Sequence, residues 1–227
     1  RKAERGKRKY VHNTILYVIQ SGLSYLLNGK STKNVLLFLT AFIFNNKLIG
    51  YRFQFFTDGH KALNNAILKW FSWYKNLGII LDWYHLKKKC KEQLSLALKG
   101  RVIRNKTLDK LMPLLWFGLT NKAINYLEEI DKAIIKDQSA IERLVSYFKR
   151  NTLYIPYYAV RKELGLCNSS AIGEKMNDLV VSERQKHNGM SWSKDGSVAL
   201  ASITSLKRKN ENRKWFEEKE IDFKLAA

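Results

Sequence analysis

Two carboxylates in the first half of the sequence stand where catalytic chemistry is often placed. Asp58 follows Phe55-Phe56-Thr57 and precedes Gly59-His60, while Asp82 follows Ile79-Ile80-Leu81 and precedes Trp83-Tyr84-His85. Each acid marks the stop of an apolar run, the point at which strands of an open α/β sheet give way to ligand-contacting loops. A third acid, Glu174, opens a segment with an apolar stripe at Ile172, Met176, Leu179 and Val180. That stripe leaves Glu174 and Asp178 one turn apart on a more polar face. Taken singly, each acid has an ordinary explanation: Asp58-Gly59 makes a good turn, and acids favour helix N-termini in any protein. In sequence order they form a set of hard oxygen donors suited to magnesium or manganese. Such ions drive phosphoryl transfer on DNA, one activating the attacking oxygen and another stabilising the leaving oxygen.

The elements that must position these acids can be read from residue period. Residues 10–20 and 24–27 are rich in β-branched and aromatic side chains on either side of Gly22, which predicts two strands joined by a tight turn. Ser31 and Thr32 offer caps for a helix through Val35, Leu36, Leu39, Phe42 and Ile43. Residues 51–57 read as a strand ending at Asp58, and residues 60–76 return to helical spacing. The short continuous run 79–81 is the pattern of a strand buried on both faces within a parallel sheet. From 86 to about 166 the spacing is helical throughout, with boundaries expected near Asn105, Pro113, Asn121, Lys136, Asn151 and Pro156. Further helices are expected from Ser169 or Ser170 to about Lys186 and from Ser193 to Lys207.

Composition narrows the partner. Lys and Arg number 41 against 20 Asp and Glu, a formal net charge of +21, which points to a polyanion and favours nucleic acid. An acidic membrane is the competing polyanion, but no basic amphipathic helix with a wide apolar face stands out. The longest apolar run, 35–44, is shorter than the roughly 20 residues of a membrane span. Two cysteines, Cys90 and Cys167, are too few for a disulfide framework or a zinc knuckle and fit a reducing cytoplasm.

The segments Phe55-Phe56-Thr57-Asp58-Gly59-His60, Leu81-Asp82-Trp83-Tyr84-His85 and Gly173-Glu174, followed by Gly189-Met190-Ser191-Trp192-Ser193, resemble bacterial insertion-sequence transposases of the DDE class. More narrowly, they resemble the mutator-like group, whose ribonuclease H-like core carries a C/D-x-x-H motif. The resemblance covers about residues 9–215. It implies an α/β fold, a ribonuclease H-like mixed sheet flanked by helices over 10–85 and 169–209, with an all-helical insertion over 86–168. A basic linker over 1–9 and a C-terminal tail over 210–227 complete the expected organisation. By the same resemblance Asp58 is the second catalytic carboxylate and Glu174 the third, both ligands of Mg2+ or Mn2+, with Asp82 and His85 as the supporting C/D-x-x-H pair. The implied partners are transposon ends and target DNA, on which the protein assembles as a homo-oligomer. The implied location is the nucleoid-associated cytoplasm of a bacterium, with no membrane contact.

The sequence departs from that pattern in one respect. The family's first Asp lies on the strand preceding the hairpin, whereas Glu4 is the only acid here before Asp58. The expectation is that the native protein continues upstream through that strand, and that this fragment alone binds metal poorly and is inactive. A catalytically inactive DNA-binding module derived from a transposase is the alternative, and a nuclease of the same fold that hydrolyses without joining is a third. For DNA contact the candidates are Lys87, Lys88, Lys89 and Lys91, then Lys207 and Arg208, which suit phosphates as well as they suit a solvated helix face. Arg184 and Lys186 flank the Gly-Met-Ser-Trp-Ser segment and are candidates to line the active groove. Trp192 is the aromatic most apt to stack on a base drawn out of a duplex end.

Overall fold

The computed structural model describes residues 13–185 and 192–225, excepting the side chains of Arg184 and Lys194. The basic linker 1–9, the first residues of the expected opening strand, Lys186 and Gly189-Met190-Ser191 lie outside the described residues. The chain is a mixed α/β protein that divides into two compact units, one comprising Arg1–Tyr51 with Ile172–Ala227 and the other Arg52–Ala171.

The first unit begins with a hairpin of β1 (Thr14–Gln20) and β2 (Leu23–Gly29), antiparallel from Thr14↔Gly29 to Gln20↔Leu23. Its two-residue turn puts Ser21 at φ 48 and Gly22 at φ 84, the doubly left-handed arrangement whose twist matches the strands. Helix α1 (Thr32–Asn45) follows, capped by the Ser31 hydroxyl accepting from Asn34 N, and it buries Val35, Leu36, Leu39, Phe42 and Ile43.

The second unit opens with a β-α-β crossover: β3 (Phe53–Thr57), α2 (Lys61–Trp70) and β4 (Leu77–Leu81). The strands pair in parallel from Phe53↔Leu77 to Thr57↔Leu81. Helix α2 stops at Trp70, short of the expected Asn76, because the aromatic residues beyond it fold back along β3: Phe71 lies 5.8 Å from Phe55 and Tyr74 lies 5.4 Å from Phe53, centroid to centroid. Then come α3 (Trp83–Ala97), α4 (Arg101–Trp116), α5 (Thr120–Glu128), α6 (Gln138–Asn151) and α7 (Tyr158–Glu163), with single 3-10 turns at Lys132–Ile134 and Thr152–Tyr154. The boundaries expected near Asn121, Lys136, Asn151 and Pro156 coincide with element ends, but α4 runs through both Asn105 and Pro113. Pro113 lies inside the last turn and forfeits one backbone hydrogen bond there, while Phe117 N still closes on Pro113 O at 3.0 Å. Leu81 of β4 shares one continuous core with Leu86, Cys90, Leu94, Leu111, Leu144, Phe148 and Tyr158, so the helices beyond 86 and the strand pair are a single packing unit.

The chain returns to the first unit through α8 (Ala171–Asn177), a π-helical stretch Asp178–Ser182 and a last turn α9 (Glu183–Gln185). Val180 packs with Leu26 and Ala201, joined by Met176, Ile15 and Tyr17, so the late helix lies against the hairpin. Ile172, placed by its spacing on the same stripe, is instead 48% exposed. Helix α10 (Lys194–Arg208) starts at a Ser193 cap, and α11 (Asn212–Glu218) occupies part of the tail. Among the described residues no helix is long and apolar enough to cross a membrane.

Candidate functional site

Asp58 and Asp82 are the residues immediately after the last paired positions of β3 and β4, and Asp82 N donates to Thr57 O at 2.8 Å, so the two acids occupy adjacent strand ends. Their environments differ. Asp58 is exposed, and its Oδ1 accepts from His60 N at 2.9 Å within the turn. Gly59 holds that turn at φ +79, where an added Cβ would meet Asn151 and Leu81 at 3.0 Å. Helix α6 braces the turn from behind: the Tyr147 hydroxyl donates to Asp58 O at 2.9 Å, and Asn151 Nδ2 donates to Tyr147 O at 2.9 Å.

Asp82 is 1% exposed and both of its oxygens are engaged. Oδ1 accepts from His85 N at 2.9 Å, which caps α3, while Oδ2 accepts from the Ser170 hydroxyl at 2.8 Å and from Ser170 N. Burial pushes this carboxyl upward, but the hydrogen bonds from Ser170 and His85 outweigh it and hold Asp82 below the usual carboxylate value. His85 Nδ1 lies 3.2 Å from Asp82 Oδ1.

Ser170 reaches Asp82 because the preceding segment is pinned. The guanidinium of buried Arg161 donates from Nε to Asn168 Oδ1 at 3.1 Å and from Nη2 to Cys167 O and Gln54 Oε1 at 2.6 and 3.1 Å. Asn168 in turn donates to Tyr158 O and accepts from Trp83 N. Burial pulls the Arg161 pKa downward. The sequence marked Asn151 and Ser170 only as element boundaries and did not single out Tyr147 or Arg161, all of which lie far along the chain from the acids they support.

The structure therefore brings Asp58, Asp82 and His85 together at one edge of the parallel pair, with unequal fitness for a metal. Asp58 offers an exposed carboxylate of the kind a hard divalent ion takes. Asp82 has no oxygen to spare and acts as an anchor between α3 and the 165–170 segment. Among the described residues no group of three or more His, Cys, Asp or Glu is arranged to hold an ion.

The remaining candidates fall in both units. Glu174, in the first unit, is exposed on α8 one turn before the π-helical stretch. Lys87, Lys88 and Lys91 are exposed on α3, and Lys89 is half-buried. Lys207 is exposed; Arg208 Nη2 lies 3.4 Å from both Leu179 O and Glu183 Oε2 and ties α10 to the π-helical segment. Trp192 is half-buried, and its Nε1 has no acceptor among the described residues. Lys186 and the Arg184 side chain lie outside the described residues. Comparison with protein-family models, with characterised proteins and with solved structures gives no match.

Proposed function

We propose that the chain belongs to the ribonuclease H-like catalytic core of a DDE-type DNA transposase, which cleaves DNA at transposon ends and joins it to a target. The observation that carries this reading is the placement of Asp58 at the end of β3, beside the strand-end Asp82 of a parallel partner. The order of elements supports it: an antiparallel hairpin, a helix, a parallel β-α-β unit and a late helix bearing Glu174. The net charge of +21 supplies the affinity for DNA.

In this reading Asp58 and Glu174 would each serve as a ligand of Mg2+ or Mn2+. When bound, such ions would supply an activated oxygen nucleophile and a stabilised leaving oxygen. Asp82 positions rather than coordinates: it fixes the first turn of α3, which carries His85 beside the reacting phosphate. The protein works on transposon ends and target DNA as a homo-oligomer, in the bacterial cytoplasm.

The test uses the full-length protein with labelled transposon-end duplexes, Mg2+ and a plasmid target, scoring joined and nicked products separately. Asp58→Asn and Glu174→Gln are expected to abolish joining while retaining DNA binding. Joining that survives either substitution removes the proposal. Nicks without joined products identify a nuclease of the same fold, and salt-sensitive binding without cleavage by the unsubstituted protein identifies an inert DNA-binding module.

A further inference from the structure

We propose that the outward face of α3, continued by Arg104 of α4, is a track for single-stranded DNA leading away from the strand-end site. This rests on the reading of that site as one that acts on DNA, and it adds which strand form is held there and by which residues.

The orientation of α3 is fixed by its buried side, where Leu86, Cys90 and Leu94 are all 0% exposed. The opposite side presents Tyr84, Lys88, Lys91 and Ser95, spaced i, i+4, i+7 and i+11, so they form one row along the helix. Lys87 flanks that row on one side and Glu92 on the other. At the far end Arg104 Nη1 donates to Ser95 Oγ at 3.2 Å, which fastens a guanidinium from α4 onto the same line. Among the described residues no carboxylate pairs with Lys87, Lys88 or Lys91.

The near end of the row is aromatic. Tyr84 is 55% exposed and stands edge-to-face with His85, ring centroids 5.8 Å apart, so its outer face is offered to solvent beside the Asp82 anchor. From Tyr84 to Ser95 the row is about 16 Å long, which spans roughly four or five nucleotides at duplex rise and fewer in a stretched strand. A row one side chain wide, with cations in line and a stacking ring at its head, matches a single backbone with an unpaired base. A duplex, which presents its base pairs edge-on inside a groove, gives Tyr84 nothing to stack upon. The occupant is accordingly an unpaired strand whose base lies on Tyr84 and whose phosphates follow Lys88, Lys91 and Arg104.

The experiment measures binding of fluorescein-labelled dT12 and of a 12-base-pair duplex to this chain by anisotropy, in EDTA, between about 50 and 200 mM salt. Tyr84→Ala is expected to weaken dT12 binding about 5-fold or more and to leave duplex binding unchanged, while Tyr84→Phe retains it. Lys88→Ala, Lys91→Ala and Arg104→Ala together are expected to flatten the salt dependence for dT12 by about two units of log–log slope, at roughly 0.7 per phosphate. The corresponding triple Gln variant guards against loss of fold. The exposed residues Lys110, Lys122 and Lys132, changed together to Ala, form the charge-matched control. Unchanged dT12 binding by Tyr84→Ala, equal loss on the duplex, or an equal effect of the control triple each overturn the proposal. The anisotropy assay in EDTA scores the track and the joining assay scores the transposase reading, so failure of the one and failure of the other register in different assays.

Discussion

The phenol of Tyr147, on the sixth helix, donates a 2.9 Å hydrogen bond to the main-chain carbonyl of Asp58 at the end of β3. The candidate carboxylate is thus held in place by a residue 89 positions away, through its backbone. Burial pushes the Tyr147 hydroxyl well above its ordinary pKa, so it remains a donor at any working pH. Tyr147→Phe keeps the ring and deletes only the donor, and is expected to cost about 1 kcal/mol in denaturant unfolding. It should also lower joining activity through Asp58 placement without altering affinity for DNA. Unchanged stability together with unchanged activity in Tyr147→Phe refutes the bracing role.

Gly59 is the second constraint on the same turn. Its φ of +79 disfavours any L side chain, and a Cβ there would stand 3.0 Å from Asn151 Nδ2, Asn151 Oδ1 and Leu81 Cδ1. Asn151 cannot easily yield, because its Nδ2 is bonded to Tyr147 O and the residue is 1% exposed. Gly59→Ala is therefore expected to lower stability by about 1 to 3 kcal/mol. Substituting the exposed Gly50, whose surroundings are open within 4 Å, should change little by comparison. Equal melting temperatures for the two Ala variants count against the packing argument.

These supports also mark where sequence reading stops. The Ser31 cap, the two-residue turn at Ser21-Gly22 and the stop of β4 at Asp82 depend on neighbours in the chain, so local period and turn chemistry reveal them. The bond from Ser170 to Asp82 spans 88 positions and leaves no periodic trace. The same holds for Arg161 on Gln54, which spans 107 positions. The aromatic run after Trp70 kept helical spacing, yet packing against Phe53 and Phe55 of β3 prevailed over it. In the expected C-terminal tail over 210–227, Phe223 lies 5.5 Å from Tyr25 and 5.2 Å from Phe42, a tertiary contact that its local composition gave no hint of.

Asp82 gives a prediction with a pH signature. Its folded pKa lies below the ordinary carboxylate value, so the unfolded chain binds the proton first as pH falls. Its contribution to stability is fully present above the unfolded pKa near 4 and is lost as pH drops through the lower folded value. Asp82→Asn leaves a single acceptor oxygen and turns an NH2 toward donors that the second oxygen now satisfies. A loss of about 2 to 3 kcal/mol at pH 7 is expected, shrinking as pH is lowered toward 3. Thermal melts of both proteins at pH 7, 5 and 3 check this. A difference that stays constant across the series shows that the charge of Asp82 is not what its partners recognise.

Lys209 gives a slope of the same sign at the alkaline end of the range. Its Nζ lies 3.3 Å from the Tyr25 ring centroid and 2.7 Å from Leu26 O, with Glu211 Oε2 at 4.0 Å. Burial lowers its pKa to about 8, with Glu211 opposing. Tyr25, which faces it, is raised by burial and then by Glu211 and Asp222, so its hydroxyl stays neutral through this range. Between pH 8 and the unfolded lysine value near 10.4 the unfolded chain holds a proton that the folded chain has released, so this group makes stability rise with pH. The rise is on the order of 2 kcal/mol by pH 10, less whatever the attraction of the ammonium to the ring restores. Buried Cys90, whose thiol is pushed up, acts in the other direction, because the unfolded thiol ionises above about 8.5. That effect is common to the parent and to Lys209→Met and cancels in their difference. The stability of the parent relative to Lys209→Met is accordingly expected to increase from pH 8 to pH 10 in urea unfolding monitored by tyrosine and tryptophan fluorescence. A difference that is flat or that declines over this interval means that the Lys209 ammonium is not desolvated against Tyr25.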